Sequence, residues 1–228
     1  MSFDLSQTDH LLTTTRSVRK RLDFTRPVPR EVILECLQIA LQAPSGGNSQ
    51  PWRWLIVDDP ETKRRIGELY AKAHDPYMAT NRALAEQAGR LESMEKIMDS
   101  SSYLSEHMHE VPAMVIPCLL SRLPADASVA DVAGFYGSIL PAAWSFMLAL
   151  RSRGLGSAWT TLHLNYEAEV ATVLGIPDTV TQTVLLPVAY YTGEDFKPAP
   201  RRPVEEIVYV NGWKQRASTA AERGAQLQ

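Results

Sequence analysis

Apolar positions recur at helical spacing through the first third of the chain and then condense into β-like runs. Leu5, Leu11 and Leu12 give a first helix over residues 4–15 its apolar side. Thr25-Arg26-Pro27-Val28-Pro29 reads as a turn. Residues 30–42 then place Val32, Ile33, Cys36, Leu37, Ala40 and Leu41 at i, i+1, i+4, i+5, i+8 and i+9, one wide helical face. Trp52 to Val57 alternates weakly and predicts a strand, closed by Asp58-Asp59-Pro60. Residues 60–73 predict another helix, with Ile66, Leu69 and Tyr70 inside. The pattern is least regular over 74–109. Helical stretches at about 81–98 and 102–109 are polar, and Asp75-Pro76-Tyr77 and Ser100-Ser101-Ser102 interrupt them. This predicts a helical excursion from the core, placed like a lid.

Val111 to Leu120 is an apolar, β-branched run and predicts a central strand. A long apolar helix follows at 128–153. Pro141 either starts it afresh or kinks it and leaves the Gly137 carbonyl free. Gly154-Leu155-Gly156 ends it. Ser157 to Leu162 leaves as a short extended piece, a helix is predicted at 165–174, and Thr181 to Tyr191 is the last core strand. A C-terminal extension over 196–213 opens with three prolines between Lys197 and Pro203, which favour an extended path. The small, polar residues 214–228 are expected to be disordered.

Strands separated by helices, with no repeat and no dividing linker, predict an α+β fold in one domain spanning 1–228. The net charge of −3 argues against a nucleic-acid binder, which carries a basic excess or stripe. Both cysteines, Cys36 and Cys118, lie in apolar runs and read as buried free thiols. With no basic and apolar leader at the N-terminus, a reducing, cytoplasmic location is expected. Val132 to Leu150 holds no charge and is long enough to span a bilayer. Gly134, Gly137, Ser138, Pro141 and Ser145 interrupt it, and the expectation is a helix buried in a core or subunit interface.

The usual catalytic signatures are missing. There is no Gly-x-Gly-x-x-Gly, no phosphate loop, no Gly-x-Ser-x-Gly elbow and no His-Glu-x-x-His. His107 and His109 lie two residues apart with no cysteine or carboxylate cluster to complete a site, so no metal site is expected. Such a chain can still be an enzyme if a cofactor supplies the reactivity. Two stretches offer polar groups. Ala43-Pro44-Ser45-Gly46-Gly47-Asn48-Ser49-Gln50-Pro51-Trp52 is a loop fixed by two prolines and freed by two glycines. It reads either as a plain helix-to-strand connection anchored by Trp52 or as a binding loop of amides and hydroxyls. Arg16-Ser17-Val18-Arg19 reads either as a solvated basic helix end or as an anion site.

The wording of these stretches resembles the nitroreductase family. Ala-Pro-Ser-x-x-Asn-x-Gln-Pro-Trp is similar to its flavin loop, and Arg16-Ser17-Val18-Arg19 to its N-terminal motif. In order and spacing the resemblance covers nearly the whole chain. It implies a mixed sheet flanked by helices, an intertwined homodimer and FMN at the subunit interface. Arg16, Ser17 and Arg19 would hold the ribityl phosphate and the pyrimidine edge. Pro44, Ser45, Gly46, Asn48 and Gln50 belong to the loop that would pack on the flavin of the other subunit. Trp159, Thr160, Thr161 and Leu162 fall where the family places backbone amides near N5 and O4, although by residue type they are a plain strand edge. Arg201, with Arg202, resembles a C-terminal basic group on the phosphate. The family's second cation, two residues before Arg201, is Ala199 here, leaving Lys197 or Arg202 to substitute.

The resemblance further implies an oxidoreductase with a ping-pong mechanism. NADH or NADPH would give a hydride to flavin N5, and a nitroaromatic or quinone-like acceptor would then be reduced. No side chain is assigned as a general acid. The apolar helix at 132–150 would be the interface helix. Dehalogenation, flavin breakdown and enone reduction occur on the same fold. The dehalogenases use a lid with Glu, Tyr and Lys; Glu92 and Lys96 lie in the lid region, but no Glu-x-x-x-Tyr accompanies them. A flavin-binding protein without turnover is the alternative from another class.

Overall fold

The protein is described from a computed structural model, over residues 3–216. It divides into two compact units, one ending at Asp195 and the other starting at Phe196.

The first unit is built on strand β3, Ala113–Leu119, in which every residue is buried. That matches its unbroken apolar sequence, which has no polar face to give to water. β2 (Trp52–Val57) pairs along it in antiparallel register, Trp52 opposite Leu119 and Val57 opposite Met114. On its other side β6 (Leu186–Tyr191) pairs with Ala113–Val115, and β1 (Leu22–Asp23) lies outside β6. β4 (Leu155–Ser157) also pairs with β6, and β5 (Thr181–Gln182) with the end of β3. All these ladders are antiparallel. The one parallel pairing among the described residues is the isolated bridge between Ser17 and Ser157.

The continuous strand expected over 181–191 is therefore two strands. Val115 faces Leu186 and Cys118 faces Gln182, so three residues of one side oppose two of the other, a bulge. Pro117 lies in the gap and has no N–H to donate. Its carbonyl instead accepts from the Thr183 amide at 3.1 Å and the Thr183 hydroxyl at 2.7 Å.

α1 (Leu5–Thr14) starts at the Asp4 side chain, which accepts from the Gln7 amide. α2 (Arg30–Ala40) buries Ile33, Cys36, Leu37 and Ala40, the i, i+3, i+4, i+7 stripe of its sequence. α3 departs from expectation. It runs from Pro60 to Gln87, straight through Pro76. The proline removes the helical donor to the Lys72 carbonyl. Asp75, Pro76 and Tyr77 are exposed while Ala73 and His74 are buried, so the broken turn faces water and the packed side holds the helix together. The break comes instead at Gly89, whose φ of 61° closes the helix. The Arg90 amide then donates back to the Ala85 carbonyl at 2.8 Å. α4 (Leu91–Glu106) runs through the three serines expected to interrupt it, with Ser100 Oγ donating to the Ile97 carbonyl at 2.9 Å.

The long apolar segment splits at Ser138 and Ile139. α5 (Val129–Gly137) opens with a reciprocal cap between Ser128 and Asp131, and α6 (Leu140–Arg151) starts afresh with Pro141 in its first turn. α6 buries six residues, among them Phe146 and Leu150, against α2 and the sheet. α5 buries none, despite its apolar sequence, so the buried-helix expectation holds for α6 and not for α5 within the protomer. α7 (Glu167–Leu174) ends at Gly175 in the left-handed conformation.

The described part of the second unit holds a short helix, α8 (Val204–Ile207), started by Pro203, and a bridge between Tyr209 and Arg216. The rest of the segment expected to be disordered, from 217, lies outside the described residues.

Candidate functional site

After α1 the chain turns extended at Thr15 and runs beside β4. Ser17 bridges Ser157, and the Val18 amide donates to the Ser157 carbonyl at 2.8 Å. Gly156 makes this approach possible, because a Cβ there would lie 2.9 Å from the Val18 Cβ. The Arg16–Arg19 motif and the 157–162 segment, some 140 residues apart in sequence, therefore form one continuous edge. Arg16 is exposed, Ser17 and Arg19 are half-buried, and Val18 anchors the strip in the core.

The Arg19 guanidinium lies against the excursion. Burial pushes its pKa below the ordinary value, the Tyr70 and Tyr77 phenols oppose this, and the neighbouring Arg16 cation adds to it. Arg19 Nη1 approaches Ser100 Oγ of α4 at 3.4 Å. Tyr70 of α3 is 2% exposed, and burial pushes its phenol up to about 12, against a hydrogen bond with Thr160. One residue further, Lys20 pairs with Asp99 of α4, and Phe24 stacks on Tyr103 at a centroid distance of 6.3 Å. These contacts hold α4 to the segment after the arginine motif.

Past β4, Thr160 is buried and fully committed. Its hydroxyl donates to the Leu185 carbonyl at 2.7 Å, and its carbonyl accepts from the Leu185 amide at 2.9 Å. Trp159 is half-buried against the core, Leu162 is half-buried, and Thr161 is exposed. The plain strand edge ends here, since a 3-10 turn spans Leu162–Tyr166. It carries His163, fully buried, with no hydrogen-bond partner at either ring nitrogen among the described residues. Burial pulls its pKa to about 4, with Glu167 opposing the shift.

The loop of Pro44, Ser45, Gly46, Asn48 and Gln50 lies over the end of α5. The Gly46 amide donates to Ser138 Oγ at 3.0 Å, and that hydroxyl donates to the Gly134 carbonyl at 2.7 Å. Inside the loop the Gln50 amide donates to Ser45 Oγ at 3.1 Å. Gly47, Asn48 and Gln50 all have positive φ, a conformation that glycine and asparagine tolerate best. Except for the half-buried Ser45, these residues are exposed in the protomer. Arg201 and Arg202 belong to the second unit, where both are exposed and Arg201 Nη1 donates to the Pro200 carbonyl at 3.0 Å.

Tyr70, Ser100, Ser138 and His163 are the residues that sequence reasoning left without a role. Tyr70 appeared only as a core position of a helix, and Ser138 only as an interruption of an apolar run. A surface pocket of about 870 Å³ lies elsewhere, between α1 and the end of β6, lined by His10, Arg151, Tyr191 and Asp195 among others. Asp195 there pairs with both His10 and Arg151.

The model of the Nitroreductase family matches residues 12–190. A protein named NADH dehydrogenase from Thermus thermophilus is 30% identical over 204 residues, 85% of this chain and 90% of that protein. Iodotyrosine deiodinase from Thermotoga neapolitana is 28% identical over 200 residues, 86% of this chain and 94% of that protein. Among solved structures, an oxidized iodotyrosine deiodinase bound to FMN and 3-iodo-L-tyrosine superposes with a TM-score of 0.66 at 25% identity, over 89% of this chain and 97% of that one. The family match runs from the last turn of α1 into β6, with the arginine motif, the 43–52 loop and the 157–162 segment inside it, and the chain belongs to the nitroreductase family.

Proposed function

We propose that the protein is an FMN-dependent oxidoreductase that takes electrons from NADH or NADPH and passes them to nitroaromatic or quinone-like acceptors in two successive half-reactions. The observation that carries this reading is the joining of the Arg16–Arg19 strip to the 157–162 segment through Ser17 and Ser157. It puts guanidinium and hydroxyl donors beside a run of backbone amides.

That donor set fits FMN. Two arginines close enough for one to depress the other are relieved by an anion between them, as a phosphate would be. The Ser157 hydroxyl is buried and has no hydrogen-bond partner among the described residues, so a polar group on that edge would satisfy it. Bound flavin supplies two-electron chemistry that no side chain has. The protein's share is to hold and orient. Arg16, Ser17 and Arg19 take the phosphate and the pyrimidine edge. The Thr160 amide is spent on the Leu185 carbonyl at 3.2 Å, so it would serve as the anchor of the segment, and the amides of Trp159, Thr161 and Leu162 would be the ones left for the ring edge. Oriented donors of this kind stabilise negative charge without reorganising during the reaction. Relatives named NADH dehydrogenase and nitroreductase support the electron donor and the acceptor class.

We further propose that the protein acts as a homodimer. α5 is apolar and has no fully buried residue in the protomer, with only Phe135 packed on the core, and Val132 of α5 and Trp144 of α6 are exposed. The exposed loop of Pro44, Ser45, Gly46, Asn48 and Gln50 lies on the end of α5 and would complete the partner's site.

A second reading, reductive dehalogenation, is favoured by the iodotyrosine deiodinase relatives. Against it, Glu92 and Lys96 on α4 are exposed, and neither belongs to a Glu-x-x-x-Tyr pattern. Purified protein incubated anaerobically with NADPH and either a nitroaromatic or 3-iodo-L-tyrosine separates the two. Consumption of the nitro compound with 3-iodo-L-tyrosine left intact supports the first reading; release of iodide at the faster rate supports the second.

A further inference from the structure

We propose that Ser138 is a positioning residue for the 43–50 loop, and that through its hydroxyl the end of α5 sets the shape this loop presents to flavin. The proposal rests on the FMN reading above and concerns how the loop of that site is held.

The Ser138 hydroxyl has one hydrogen to give and gives it to the Gly134 carbonyl at 2.7 Å. Its oxygen accepts the Gly46 amide at 3.0 Å. Ser138 is 6% exposed and both bonds are partly buried, which limits competition from water. The fit is close: a Cβ on Gly46 would lie 3.3 Å from Ser138 Oγ. Elsewhere the loop relies on bonds within itself, from Gln50 to Ser45 and from Gln50 to Asn48. Three of its residues have positive φ, so it needs an external tie to hold one conformation. Ser138 supplies that tie at the hinge between α5 and α6. The Ser138 amide is itself bonded to the Gly134 and Phe135 carbonyls at 3.1 and 3.2 Å, which makes the tie as rigid as the helix end.

The test uses the full-length protein. FMN affinity is measured by fluorescence quenching, the visible circular dichroism of bound flavin is recorded, and melting temperature and oligomeric state are followed in parallel. Ser138→Ala should weaken FMN binding by about threefold to tenfold, the worth of one buried hydrogen bond. It should also alter the flavin dichroism while the oligomeric state stays as in the wild type. Ser138→Thr, which keeps the hydroxyl, should return both readouts toward wild type. A role confined to helix stability would lower the melting temperature and leave the dichroism unmoved, and that result overturns the proposal. So does Ser138→Ala with unchanged affinity and spectrum. Wild-type protein that binds no FMN would instead contradict the FMN reading itself.

Discussion

Val18 and Gly156 touch where the arginine motif meets β4, with a Cβ on Gly156 placed 2.9 Å from the Val18 Cβ. The contact is side chain against bare backbone, and the amide of Val18 completes it on the Ser157 carbonyl. Gly156→Ala should therefore push the strip off β4. The expected cost is about 1–3 kcal/mol, the usual range for overpacking a filled site. Urea unfolding measures it, and Val18→Ala in the same background should recover part of the loss. A Gly156→Ala protein as stable as wild type would mean that the strip and β4 are not pressed together.

Arg19→Ala should weaken FMN retention more than it changes folding. A charged hydrogen bond to a phosphate or ring oxygen is worth about 1.5–3 kcal/mol, or roughly tenfold to a hundredfold in affinity. In the protomer Arg19 makes a long contact of 3.4 Å to Ser100, so the stability change should be under about 1 kcal/mol. Purified mutant with normal flavin content would remove Arg19 from the site.

Stability should fall with acid through His163. Its pKa is about 4 when folded, below its ordinary value of 6.5, so below pH 6.5 the unfolded chain takes up the proton before the native protein does. The stabilisation is complete above that value and is lost progressively down to about pH 4. Between pH 7 and pH 5 the loss from this one group is about 2 kcal/mol. Urea midpoints at the two pH values measure it. His163→Leu should flatten the difference, and an unaltered pH dependence in that variant would mean that His163 is not the group responsible.

Flavin occupancy should track dimerisation. Val132 is 40% exposed on a helix that buries no residue of its own. Val132→Glu should move the protein toward monomer in analytical ultracentrifugation and lower the FMN content in the same proportion. A fully flavinated monomer contradicts the shared site.

Much of the fold was legible because local patterns and burial agree. The stripe of Ile33, Cys36, Leu37 and Ala40 and the unbroken apolar run of β3 each dictate one element and one place for it. The misreadings come from residues whose effect depends on which side faces water. Pro76 breaks a helix only if the orphaned carbonyl is buried, and here it is not. Ser100 bonds back into its own helix and so does not end it. Pro117 splits the last strand from across the sheet, which no pattern within 181–191 could reveal. For the site, the arginine motif and the 43–52 loop were legible as wording. That Val18 and Gly156 join the motif to β4, and that Ser138 ties the loop, are facts of packing between segments far apart in sequence.

The most direct test of the central claim is an anaerobic absorbance titration of the purified protein with NADPH and then NADH, followed by a nitroaromatic. The account predicts a yellow protein that bleaches with the nicotinamide and regains its colour when the nitro compound is added. Yellow protein that does not bleach would contradict the oxidoreductase reading and leave a flavin binder. Colourless protein that FMN cannot reconstitute would contradict the site itself.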